Sequence, residues 1–263
     1  MANKAKLAMM FVFFTLACTV IEAPQDFDAL TSYLFQHFEN NDNDVLEAGA
    51  ENMVDWLETN GDQLLEGYQV DDLSLEAVHS VDPSTTEVSL MGVAAGLNIH
   101  HSVNDVAYLL FIEGHNDDPP SPDATSYNIR TYHDDQYCFV TRECELLNYS
   151  AEIAAEMPLN ILVHTTIAGQ VRWVDSTIGP ILVQRRWFTS VPEVSVEWLD
   201  LRTEYALMLS LPFSAQEGSR RIEMTWLDVT IGDIPISEDI GVMLGLNAIK
   251  DNMVSLQNQS MPE

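Results

Sequence analysis

Histidine is the first residue type to test for chemistry, because imidazole both ligates metals and moves protons near neutral pH. His100-His101, His115 and His133 lie near Asp117, Asp118, Asp134 and Asp135. Neighbouring histidines on a strand point to opposite faces, so His100 and His101 do not share an ion. A hard cation would use oxygen instead, and Asn40-Asn41-Asp42-Asn43-Asp44 gathers oxygen donors in one short stretch. It lacks the central glycine and distal glutamate of an EF-hand loop, as does His115-Asn116-Asp117-Asp118. Solvated loops account for both, and no metal ligand is assigned. No GxSxG, HExxH, P-loop or dinucleotide fingerprint occurs. Scattered Ser, His and Asp do not fix a triad. No catalytic residue and no cofactor is therefore assigned, and a non-enzymatic role is favoured.

The aromatic and cationic residues of the second half carry more information. Trp173, Trp187, Trp198 and Trp226 fall on predicted strands, close to Arg172, Arg185, Arg186, Arg202, Arg220 and Arg221. Strand alternation sets Arg172 against Trp173, and Arg186 against Trp187. The plain expectation is a sheet with aromatics inward and arginines outward. The sharper one makes the four tryptophans the lining of a pocket for an apolar ligand, in an interior kept adaptable by 11 methionines.

Three cysteines bear on compartment. Lys4 and Lys6 precede an uncharged stretch from Leu7 to Ala17, of signal-peptide length and short for a membrane span. Cys18 follows Ala17 directly. This resembles the bacterial lipoprotein signal, in which the cysteine becomes the acylated N-terminus. Thr15 stands where that signal prefers an aliphatic residue. The resemblance implies residues 1–17 as signal peptide, lipidation at Cys18 and attachment to the membrane through that anchor. Thr19 after the cysteine implies the outer membrane by the same resemblance. Simple secretion with cleavage after Ala23 is the alternative, so the expected location is the bacterial cell envelope, as an outer-membrane lipoprotein or as a periplasmic or secreted protein. Cys138 and Cys144 then remain as a pair, closing a tight hairpin with a disulfide, with two reduced core cysteines as the alternative.

The chain of 263 residues has 11 Lys+Arg against 41 Asp+Glu, a formal charge of -30. Residues 7–129 contain no Lys or Arg and 22 acidic residues. Nucleic acid is excluded as a partner, since its phosphates would be repelled and no basic stripe offsets that.

Periodicity supplies the elements. Phe27, Leu30, Leu34 and Phe38 make one stripe of a helix over 26–38. A second helix starts at Asp44, with Glu47 completing a capping box and Gly61 expected as its C-terminal cap. Residues 18–25 are a linker, 26–115 an acidic helix-rich region, and 116–126 a Pro/Asp loop that marks a boundary. Beyond it the period becomes two. Strands are expected at 127–132, 136–140, 160–167, 170–175, 180–188 and 221–231, with a bulge or bend at Trp198-Leu199. A helix over 238–257 ends the pattern; Gly241 and Gly245 on one side would let it sit close to a sheet.

The fold class is α+β: an N-terminal helical hairpin, then residues 127–258 as an antiparallel sheet packed on a long C-terminal helix. That order of elements resembles the helix-grip architecture of START-like lipid-binding proteins. The resemblance implies a cavity between sheet and helix, and hence an exported envelope protein binding a lipid-like or other hydrophobic small molecule without catalysis. The alternative is an acidic interaction or structural module of the envelope, with a protein partner and no ligand cavity.

Overall fold

A computed structural model describes residues 22–40, 43–113, 126–157, 160–213, 218–232 and 238–261. The first helix, α1, spans Phe27–Gln36 and starts where Asp26 Oδ1 accepts the Ala29 N–H at 3.2 Å. Its buried stripe is Phe27, Leu30 and Leu34, joined by Phe35. The second, α2, spans Asn43–Glu66. It runs through Gly61 and ends instead at Gly67, whose φ of 105° is the left-handed geometry that favours glycine. There the Lys250 Nζ donates to the Glu66 carbonyl at 2.7 Å, a cation at a helix C-terminus.

The chain continues through β1 (Tyr68–Val70), α3 (Leu75–His79), β2 (Met91–Ile99) and α4 (Val103–Tyr108), which runs on as a π-helical turn over Leu109–Glu113. Then follow β3 (Tyr127–Tyr132), α5 (Gln136–Val140), β4 (Leu146–Met157), β5 (Ile161–Val174), β6 (Ile181–Phe188), β7 (Glu193–Val194), β8 (Leu199–Phe213), β9 (Gly218–Ile231) and α6 (Glu238–Gln257). The strands form one nine-stranded antiparallel sheet in the order β1-β2-β9-β8-β6-β5-β4-β3, with β7 on β5. Strands β3 to β9 are a meander, and β2 returns to pair with β9. The first long strand beside the last, with the terminal helix on the sheet, is the helix-grip order that the sequence suggested.

Several sequence expectations need correction. The segment 136–140 is a helix, because Asp135 Oδ1 caps it by accepting the Cys138 N–H at 3.1 Å. The two strands expected at 160–167 and 170–175 are one strand, β5, running straight through Gly169. The bulge lies between Leu201 and Thr203, opposite β9, while Trp198 sits in the turn that precedes β8. The sheet also crosses the boundary drawn at 116–126, since β1 and β2 belong to the acidic first part and pair into it.

Helices cover both faces. On one, α1, α2 and α3 pack Phe27, Leu34 and Leu46 against Leu207, Leu209, Met224 and Trp226. On the other, α6 sets Ile249 and Met253 against Val93 and Ala95 of β2, with Gly245 lying against Val93. Beside α6, the segment 103–111 and α5 pack Val106, Phe111 and Phe139 over Tyr149, Val171 and Trp173.

Coverage of both faces overturns the expectation that the arginines point outward. Arg172 and Arg185 lie under α1. Arg172 Nη1 donates to the carbonyls of Phe38 and Asn40, at 3.1 and 2.7 Å, and its Nη2 to Asn43 Oδ1. Arg185, with no exposure, donates through Nη1 to the Phe35 carbonyl at 2.9 Å and through Nε to Gln170 Oε1 at 2.8 Å. Its Nη2 meets Glu39 at 3.1 Å as an ion pair rather than an aligned hydrogen bond. Burial pushes the Arg185 guanidinium down to about 10 against the pull of Glu39. The Phe35 carbonyl at the end of α1 and the Phe38 and Asn40 carbonyls just beyond it are thus satisfied by cations from the sheet.

Candidate functional site

The face under α6 and α4 carries an unusual set of side chains. Alternation assigns to it Gln184 and Arg186 of β6, Glu204 and Ser210 of β8, and Arg221, Glu223 and Thr225 of β9. Cross-strand register brings them together: Arg221 lies opposite both Ser210 and Leu97, and Gln184 lies opposite Met208, itself opposite Glu223. Tyr149 reaches the same group from β4, its ring lying across Gly169 of β5. Arg130 of β3 places its guanidinium 5.7 Å from the Tyr149 ring centre and donates to the Leu110 carbonyl at 2.8 Å.

The bonds within the group are unequal. Arg186 holds two carboxylates, Glu204 Oε1 at 3.0 Å and Glu223 Oε1 at 3.5 Å. Arg221 holds neutral groups, donating to Ser210 Oγ at 3.0 Å and more weakly to Gln184 Oε1 at 3.5 Å. Gln184 in turn donates to Tyr149 Oη at 2.7 Å. Burial opposes the charge on Arg186, but Glu204 and Glu223 outweigh it and hold the guanidinium above its ordinary range. For Arg221 burial wins: its pKa is lowered, Glu223 offsets part of the shift, and Arg186 adds to it.

This polar belt is flanked by the two apolar clusters of its face, one beneath α6 and one beneath the 103–111 segment. Helix α6 lies along β2 and reaches only the edge of β9, leaving β8 and β6 outside its main footprint. Arg186 is only partly buried, with 26% of its side-chain surface exposed. Phe188 on the same strand and Leu97 opposite Arg221 are only partly buried. Apolar residues around a few convergent polar groups are what a small-molecule site requires.

The four tryptophans are placed differently. Trp173 lies on this face but stacks on Phe139, with centroids 5.7 Å apart, and its Nε1 donates to the Phe139 carbonyl at 2.8 Å. Trp187 and Trp226 lie on the opposite face, Trp226 fully buried with its Nε1 donating to the Asp71 carbonyl at 2.9 Å. Trp198 lies outside the strands. The indoles therefore do not converge on one cavity. Of the residues that do converge, Arg186 and Arg221 were named but read as outward-facing, because a charged residue in strand phase reads as solvent-facing, and Arg130, Tyr149, Gln184, Glu204 and Glu223 were not singled out. The signal was the run Arg221, Glu223, Thr225, polar at every second position of a strand whose other positions, Ile222, Met224 and Trp226, are apolar.

Cys138 and Cys144 form a disulfide with 5.3 Å between Cα atoms. Cys18 and the leader lie outside the described residues, as do His115, Asp117 and Asp118. His101 Nε2 meets the Gln259 carbonyl at 3.1 Å. The carbonyl of Asn40 and the side-chain oxygen of Asn43 are engaged by Arg172. Among the described residues no group of three or more His, Cys, Asp or Glu could hold a metal ion, and no helix is long and apolar enough to cross a membrane. Two surface hollows lie elsewhere. One, of about 530 Å³, is an open groove lined by Asp26, Asp28, Asp71, Asp72 and Glu76. In it the Asp28 carboxyl is raised by burial and by the charges of Asp71 and Asp26, against a hydrogen bond from the Asp71 N–H. The other, of about 250 Å³, lies beside the disulfide, between Asn43, Glu145, Arg142 and Trp173.

No family model matches the chain, and no curated protein matches it. Among solved structures it is similar to that of Ara h 8.0201, at 8% identity and a TM-score of 0.35, over 64% of this chain and 93% of that one. The helix-grip description rests on the strand order and packing given above, not on this likeness.

Proposed function

We propose that the protein is an exported, non-catalytic binding protein that holds a small amphipathic molecule between the sheet and the terminal helix. The observation that carries this reading is the partly exposed Arg186 with its polar partners on the face that α6 only partly covers, flanked there by apolar clusters. Export is supported by the charged and apolar pattern of residues 1–17 and by the Cys138–Cys144 disulfide, a bond that persists in oxidising compartments. Lipid attachment at Cys18, and with it an envelope location, belongs to the same proposal.

Native mass spectrometry of the full-length protein recovered from its envelope, followed by organic extraction, tests all parts together. The expected result is a small-molecule adduct that extraction removes, on a chain whose first residue is acylated Cys18. A chain of unchanged mass before and after extraction overturns the ligand reading. Retention of residues 1–17 overturns the placement. The acidic groove lined by Asp26, Asp28, Asp71, Asp72 and Glu76 favours a second reading, a docking surface for a cationic protein. Its signature would be salt-sensitive binding there with the interior empty.

A further inference from the structure

We infer that the molecule held on this face is an anion, an amphiphile whose carboxylate head group sits against Arg221 and Arg186 while its apolar part runs past Phe188. The inference rests on the binding reading above and adds the charge class of the ligand. Among the described residues, Arg186 and Arg221 share this belt with two carboxylates, Glu204 and Glu223, and the two guanidiniums are unequally paired. Both carboxylates are within ion-pair distance of Arg186. Arg221 is 5% exposed, and among the described residues no carboxylate lies within 4 Å of it. A buried charge held by neutral groups alone is costly, and a packed apolar residue would stabilise the sheet better. A carboxylate beside Arg221 would supply the missing counter-charge through charge-assisted hydrogen bonds.

The rest of the molecule sharpens the argument. At a formal charge of -30, the protein repels anions from its surface. Selective uptake of an anion must therefore come from a local feature, and on this face Arg221 supplies one.

Isothermal titration of the full-length, delipidated protein with dodecanoate, 1-dodecanol and dodecyltrimethylammonium separates the possibilities. Dodecanoate is expected to bind about 10- to 100-fold more tightly than dodecanol, the effect of a hydrogen bond to a charged group. Arg221→Gln is expected to abolish that preference, and Arg221→Lys to retain part of it. Should Arg221→Gln fail to fold, the wild-type comparison alone decides. Dodecanol or the cationic amphiphile binding as well as dodecanoate would overturn the charge inference and leave a binding protein. Binding of none of the three would remove both.

Discussion

Gly169 sits opposite Tyr149 across the β4–β5 ladder, and a Cβ there would fall 2.1 Å from the tyrosine Cζ. The ring can lie over the strand, and its hydroxyl can accept from Gln184, only because no side chain occupies that place. Gly169→Ala is expected to destabilise the protein by about 1–3 kcal/mol through overpacking. It would be seen as a lower urea midpoint at unchanged slope. An unchanged midpoint would mean that Tyr149 is not held where it is described. At this scale the sequence was legible in part. Alternation correctly set Arg172 against Trp173 and Arg186 against Trp187. It could not say that both faces of the sheet are covered, and so it could not distinguish a solvated arginine from Arg185 or Arg221. Nor could it see that Gly169 breaks no strand, since the property that made it look like a gap lets a tyrosine from the next strand fill it.

Helix α1 is anchored by arginines that its own half of the chain lacks. Arg185 satisfies the Phe35 carbonyl and Gln170 from a fully buried position, whereas its carboxylate partner Glu39 has 59% of its side chain exposed. The two partners are therefore unequal in weight. Arg185→Met, which keeps the volume and leaves the buried acceptors unpaired, is expected to cost about 2–3 kcal/mol. Glu39→Gln is expected to stay within about 1 kcal/mol, as for other exposed ion pairs. Thermal unfolding of the two variants tests this; equal losses would show that the ion pair, not the carbonyl contacts, anchors the helix. Elements set by local signals were read well. The terminal helix carries its own apolar stripe, and its bounds agree with the sequence. The segment 136–140 was misread because five residues fit a strand or a helix turn equally, and the deciding bond comes from Asp135, outside the segment. Helix α2 outran Gly61 because an interior glycine costs only about 1 kcal/mol, while the long packed face continues to Leu64.

Over the whole molecule, charge is distributed by sequence position and reconciled by topology. No Lys or Arg occurs in residues 7–129, so the cations packed on α1, α2 and their connection (Arg172, Arg185, Arg220 and Lys250) come from the second half of the chain. What remains is a surplus of carboxylates with few exposed ion pairs to lose. Raising NaCl from low concentration to physiological strength is expected to increase Tm by about 3–6 °C, corresponding to about 1–2 kcal/mol for a chain of this size. A fall in Tm would show that attractive pairs dominate. The closure of the sheet has a further consequence. Strand β2 has only the three residues of β1 on one edge, and its other partner is β9, the last strand made. During synthesis, or during threading through a translocation channel from the N-terminus, the first half of the molecule must wait with an unpaired edge until the end of the chain emerges. The architecture therefore commits late, and that edge stays open to mispairing in the interval.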